Sequence, residues 1–302
     1  MLLENIKQVE TGSSRISEIF FQTELIDNLY FNEVCDYTVK LKIEKGIRFQ
    51  PFQIIQKEPK LPLFPIYRIR KNNLSKDENI NSITPFSIPP DSCVIRGRAN
   101  VFNRAVFYAS NNIAAAITES RCQELEEIYL SVWHFESPFS FIDYLSTDSQ
   151  FNSFYAALYQ RRFNLLREKF SCYTKEECGT LERIIKKQAE WFLRETDYSV
   201  SAYVANKHLY ETNLAQIGYK IDGILYPSIA VNKQAVNFAI SRKFAENNLK
   251  CMKVFHLSLK ETDNEKVTLN NFLKVGVCNE KKISWREFIE SDLNDFQQRQ
   301  SE

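Results

Sequence analysis

Apolar and polar positions alternate along the chain in two rhythms. Residues 14–33 place Ile16, Ile19, Phe20, Ile26 and Leu29 near helical spacing. Residues 37–43 alternate Tyr37, Val39, Leu41 and Ile43 with the period of a strand, although a helix also fits. Together they predict a mainly helical N-terminal extension over 1–60. Pro59, Pro62 and Pro65 break regular structure and set a boundary near residue 60. Beyond it, 65–70 reads as a strand, and the polar stretch 71–92, with Pro85, Pro89 and Pro90, as a long loop. A second strand is predicted over 106–109, followed by a helix over Ile113–Cys122 capped by Asn111 or Asn112. Residues 127–135 are β-rich. The pattern from about 140 to 218 is helical and ends at Gly218, a residue suited to a C-terminal cap. Strands follow at 221–226, 236–241 and 251–260. A last amphipathic helix is expected over 284–298, carrying Trp285, Phe288, Ile289, Leu293 and Phe296.

This succession predicts a mixed α+β domain over 61–262 with a helical insertion at about 140–218, and a strand and helix tail over 263–302. A chain of 302 residues buries roughly 75% of its unfolded surface, so it needs no metal or disulfide to hold a core. The net charge of +1 lacks the basic excess of a direct nucleic-acid binder. Seven cysteines are scattered with no C-x-x-C pair, which argues against a zinc site and suits a reducing, cytoplasmic setting. The N-terminal segment has no basic and apolar leader pattern, and no apolar run reaches about 18 residues, so no membrane span is expected. Only 7 glycines occur, with neither G-x-x-x-x-G-K-[ST] nor G-x-G-x-x-G, which excludes the usual backbone cradles for nucleotide phosphates. The three histidines, His134, His208 and His256, do not cluster, so no Ser/His/Asp or Cys/His arrangement is suggested.

Four short pieces carry more chemistry. They are Tyr67-Arg68-Ile69-Arg70; Arg96-Gly97-Arg98; Phe107-Tyr108-Ala109-Ser110 running into Ala114-Ala115-Ala116-Ile117-Thr118-Glu119; and Asp222-Gly223-Ile224-Leu225-Tyr226-Pro227-Ser228 followed by Asn237-Phe238-Ala239. Their order and spacing resemble the RES domain family over roughly residues 62–260. Ala99–Asn103 stands where that family has an N-P-P-like stretch, and the extension and insertion are additions of this chain.

The resemblance implies an ADP-ribosyltransferase-like fold. It also implies an NAD-consuming enzyme that cleaves the nicotinamide–ribose bond by phosphorolysis or hydrolysis, as a toxin or defence effector. NAD enters as substrate, with no permanently bound cofactor and no metal. A partner antitoxin that blocks the cleft is implied, and a homo-oligomer is compatible. Carried over residue by residue, Arg68 and Arg98 clamp the dinucleotide, Tyr108 stacks on nicotinamide, Glu119 stabilises the ribosyl cation, and Ser228 bonds a ribose or phosphate oxygen. The chemistry is coherent. Glycosidic cleavage builds positive charge on the sugar, and planar guanidiniums bind phosphate oxygens in pairs.

Each residue also has a plainer reading. Glu119 fits an exposed helix carboxylate, Arg68 or Arg70 a strand-end ion pair, Tyr108 a core tyrosine, Ser110 and Asn111 helix caps, Ser228 a turn, and Asn237 a structural amide. Two rival functions remain open: an ADP-ribosyltransferase acting on a macromolecule, and a non-catalytic interaction module.

Overall fold

The computed structural model describes residues 55–58, 65–75, 77–144, 189–193, 198–211, 221–229, 235–262 and 267–293, with short pieces at 174–176 and 179. The chain is a mixed α+β protein built on one ten-stranded sheet. The strands are β1 (Ile55–Glu58), β2 (Ile66–Lys71), β3 (Val106–Ser110), β4 (Glu127–Phe135), β5 (Phe139–Asp143), β6 (Gly223–Pro227), β7 (Val236–Ser241), β8 (Leu249–Thr262), β9 (Val267–Asn279) and β10 (Lys282–Glu287). Their order is β1-β5-β6-β7-β3-β2-β4-β8-β9-β10, and among the described residues only β5 and β6 pair in parallel. The α-helices among the described residues are α1 (Ile113–Glu119), α2 (Ser199–Asn206) and α3 (Arg242–Asn248).

Alternation along each strand assigns side chains to the two faces of the sheet. On one face Phe107, Trp133, Phe139, Leu225, Phe238 and Phe244 join a single core cluster. The other face carries two. One gathers Trp191, Phe192, Val204, Ile224 and Tyr226; the other gathers Tyr67, Ile117, Leu130, Phe255 and Val275. Between these two clusters the sheet is thinly joined. β2 meets β4 over six registered pairs but meets β3 at one only, Tyr67 opposite Ser110.

The strands expected at 65–70, 106–109, 127–135, 221–226, 236–241 and 251–260 correspond to β2, β3, β4, β6, β7 and β8. Helix α1 begins where Asn112 accepts the Ala115 N–H (3.0 Å), so Asn112 and not Asn111 is the cap. It ends at Glu119 rather than Cys122, because Arg121 turns left-handed (φ +50°).

Three expectations need correction. First, a helix over 284–298 is wrong at its start, since Lys282–Glu287 is strand β10. Ile283 is buried and Trp285 half-buried, while Lys282, Ser284 and Arg286 alternate with them on a two-residue period. Ile289 and Leu293 fall on and beside a short 3-10 turn, and Phe296 lies outside the described residues. Second, the region read as helical from 140 opens as strand β5, paired with β1 and β6. Phe139 and Phe141 alternate with half-buried Ser140, but buried Ile142 follows directly, so the two-residue signature spans only three positions. Third, Ile55–Glu58 forms strand β1 just before Pro59, inside the extension over 1–60 expected to be mainly helical. The predicted helix at 14–33, the segment 37–43 and the cap at Gly218 lie outside the described residues. Among the described residues no helix is long and apolar enough to cross a membrane.

Candidate functional site

The thin junction between β2 and β3 opens into a cavity of about 420 Å³. Its walls carry Arg68, Arg98, Tyr108, Glu119, Tyr226 and Asn237, together with Tyr198 from the insertion. All four sequence pieces therefore meet in one place.

Arg68 stands on β2, where the neighbouring strand β3 has turned away. Its guanidinium crosses the gap, donates to the Tyr108 carbonyl (Nη1···O 3.1 Å) and lies with Cζ over the Phe107 ring (5.3 Å). Nε is fully shielded and has no acceptor, and among the described residues no carboxylate pairs with this cation. Burial, reinforced by Arg70, lowers its pKa from the usual guanidinium range to about 10. It remains charged at neutral pH and, among the described residues, has no counter-ion. Arg70, the alternative on the same side of β2, is occupied: it pairs with Glu78 (2.8 Å) and donates to the Pro85 carbonyl.

Arg98 sits on a tight loop closed by the Gly97 N–H donating to the Asn100 carbonyl (3.0 Å). A Cβ at Gly97 would lie 2.6 Å from Asn100 Oδ1 and 3.1 Å from the Tyr108 hydroxyl, so only glycine fits there. The Arg98 guanidinium lies over the rings of Tyr198 (4.8 Å) and Tyr226 (5.9 Å) and donates to the Phe192 carbonyl (2.5 Å). The Tyr108 hydroxyl accepts the Ala99 N–H (2.7 Å) and donates to Asn100 Oδ1 (2.8 Å). Burial holds its pKa well above the usual phenol value, so Tyr108 stays neutral and offers the cavity its ring rather than a proton.

Glu119 ends helix α1 at the solvent-exposed side of the cavity. Its Oε1 accepts from Ser228 Oγ (2.7 Å) and from Asn237 Nδ2 (2.8 Å). Both donors are buried. Ser228 thus reaches the site through Glu119 and is not among the cavity-lining residues. No protein-family model, curated protein or solved structure matches this chain.

Sequence reasoning undervalued Asn237, read as structural, and missed Tyr198 and Tyr226 as ring partners of Arg98. Asn237 lay in the motif beside a buried strand. Tyr198 had no local signal, being one of the chain's 14 tyrosines and lying within the insertion. Among the described residues no group of His, Cys, Asp and Glu is arranged to hold a metal.

Proposed function

We propose that the cavity binds NAD and that the protein cleaves its nicotinamide–ribose bond. The observation that carries this reading is Arg68: a shielded cation with no counter-ion among the described residues, facing the same cavity as the fixed carboxylate of Glu119. A buried charge of this kind is costly unless an anion completes it. The pyrophosphate of a dinucleotide supplies two negative charges for Arg68 and Arg98. The opening of the sheet at β2 and β3, with the site at the opening, supports an ADP-ribosyltransferase-like arrangement within the RES family.

In the proposed reaction the bond between ribose C1′ and the nicotinamide nitrogen breaks, and its electron pair leaves with neutral nicotinamide. Positive charge develops on the ribose. Glu119, positioned by Ser228 and Asn237 before substrate arrives, stabilises it. Tyr108 presents its ring to the nicotinamide, which is cationic before cleavage. Water, phosphate or a macromolecular nucleophile then takes the ADP-ribose. A cytoplasmic toxin role with a protein that covers the cleft belongs to the same proposal.

The test is incubation of purified protein with NAD, with and without inorganic phosphate, with the products resolved chromatographically. Release of nicotinamide, slowed about 100- to 1000-fold by Glu119→Gln, is the expected result. Intact NAD under both conditions sinks the enzymatic reading. Label from NAD appearing on protein or nucleic acid redirects it to macromolecular ADP-ribosylation.

A further inference from the structure

On the far side of β4 from the cavity, two cysteines approach each other between neighbouring strands. Cys251 near the start of β8 and Cys278 near the end of β9 have their sulfurs 3.3 Å apart. Cys251 is 2% exposed within the large core cluster, and Cys278 is partly buried against the same cluster. A disulfide needs about 2.05 Å between sulfurs, so closure requires a movement of roughly 1.3 Å. The strands are already held by registered pairing from Lys253 opposite Val277 to Thr262 opposite Val267.

We propose that Cys251 and Cys278 are a modification site at which a small-molecule disulfide installs a reversible cross-strand bond. Cys278 is the entry point, because it is the more accessible of the two and Cys251 is shielded. Burial and the neighbouring Cys278 thiol push the Cys251 thiol far from ionisation, which further disfavours it as the first attacker. The Cys278 thiolate attacks one sulfur of the reagent RSSR, forming Cys278–S–SR and releasing RS⁻. The Cys251 sulfur then attacks the Cys278 sulfur, loses its proton, and displaces the second RS⁻. In sum, two protein thiols and RSSR give one protein disulfide and two RSH, with two electrons passing to the reagent.

Neither β8 nor β9 contributes a lining residue to the cavity, so the bond forms without altering that site. The other accessible described thiols behave differently. Cys93 is exposed and among the described residues meets the Ser92 hydroxyl rather than a second thiol, so it stops at the mixed disulfide.

The experiment exposes the folded full-length chain to oxidised glutathione, blocks remaining thiols after unfolding, and maps peptides without reduction. The expected result is a peptide pair joined through Cys251 and Cys278, lost on reduction, with a melting temperature higher by about 5–10 °C. In Cys251→Ala, Cys278 instead accumulates as a stable glutathione mixed disulfide. The proposal is overturned if the unaltered chain yields only mixed disulfides at Cys278, a bond from Cys278 to another cysteine, or both thiols free. Mapping of the unaltered chain decides the matter even if the variant does not fold.

Discussion

Ser228 Oγ lies 2.7 Å from Glu119 Oε1, joining the turn after β6 to the end of α1 across 109 residues of chain. The same oxygen accepts from Asn237. Two buried donors on one carboxylate oxygen fix the direction of a side chain that lines the cavity. Removing one donor should misplace the carboxylate without unfolding the protein. Ser228→Ala is expected to lower the rate of nicotinamide release about 10- to 100-fold, the worth of one hydrogen bond to a charged group. Glu119→Gln is expected to lower it about 100- to 1000-fold. Because Glu119 is exposed, its variant should melt within a few degrees of the parent. Equal rates in all three proteins would remove Glu119 from the mechanism.

Arg68 gives a prediction of opposite signs for binding and stability. Arg68→Met should abolish the thermal shift produced by NAD, yet leave the unliganded protein equally stable or more so, since a shielded cation with no carboxylate beside it among the described residues is replaced by an apolar chain of similar length. The linked pH effect follows from the folded value of about 10, below the usual guanidinium range. With the folded value depressed, protonated Arg68 disfavours folding throughout the range below pH 10. That penalty is relieved only as pH rises above about 10. Between pH 5 and 9 the parent and Arg68→Met should therefore show parallel stability curves in urea titrations.

The Gly97 loop allows a test of how Arg98 is held. Gly97→Ala places a methyl group 2.6 Å from Asn100 Oδ1 and close to the Tyr108 hydroxyl. The loop must shift and carry Arg98 with it. An increase in KM for NAD of about tenfold, exceeding the change in kcat, is the expected outcome. Tyr108→Phe leaves the buried Ala99 N–H without its acceptor and should cost about 1–3 kcal/mol in denaturant unfolding.

Asp292 locks the end of β10 to the rest of the sheet. It accepts from Arg286 at 2.5 and 2.7 Å, from Lys253 at 3.3 Å and from the Ile289 N–H at 3.1 Å. These partners, Arg286 foremost, hold its carboxyl down from 3.8 to about 2. The folded value is depressed, so the stabilisation is fully present above pH 4 and is lost as pH falls from about 4 to 2. Asp292→Asn should lower the unfolding midpoint at pH 7 and bring it level with the parent near pH 2. A difference that persisted at pH 2 would show that packing, not charge, matters there.

The strands and the site were unequally legible in the sequence. β4 and β7 could be read with their boundaries because β-branched and aromatic residues run between clear breaks. β9 was expected only as a strand without bounds in the tail over 263–302, since most of its side chains are exposed or half-exposed and it takes its place from pairing with β8 and β10. β10 was mistaken for helix because Trp285, Phe288 and Ile289 satisfy a helical spacing, whereas the decisive alternation spans only Ile283 and Trp285. At the site, local sequence pointed to Arg68, Arg98, Tyr108 and Glu119. It could not show that Ser228 acts on Glu119 rather than on the cavity, nor that the insertion returns Tyr198 to cover Arg98. Those contacts join residues about 100 positions apart and leave no periodic trace.

The single pairing of Tyr67 with Ser110 divides ten strands into two blocks of five, β1-β5-β6-β7-β3 and β2-β4-β8-β9-β10. Backbone bonding across that line is nearly missing, and the Arg68 side chain reaching the Tyr108 carbonyl serves as a strut between the blocks. A dinucleotide held by Arg68 from one block and Arg98 from the loop that leads into the other becomes a second strut. Its arrival should slow amide exchange in β2 and β3 together, so that occupancy of the cavity is felt as stiffening of the whole sheet.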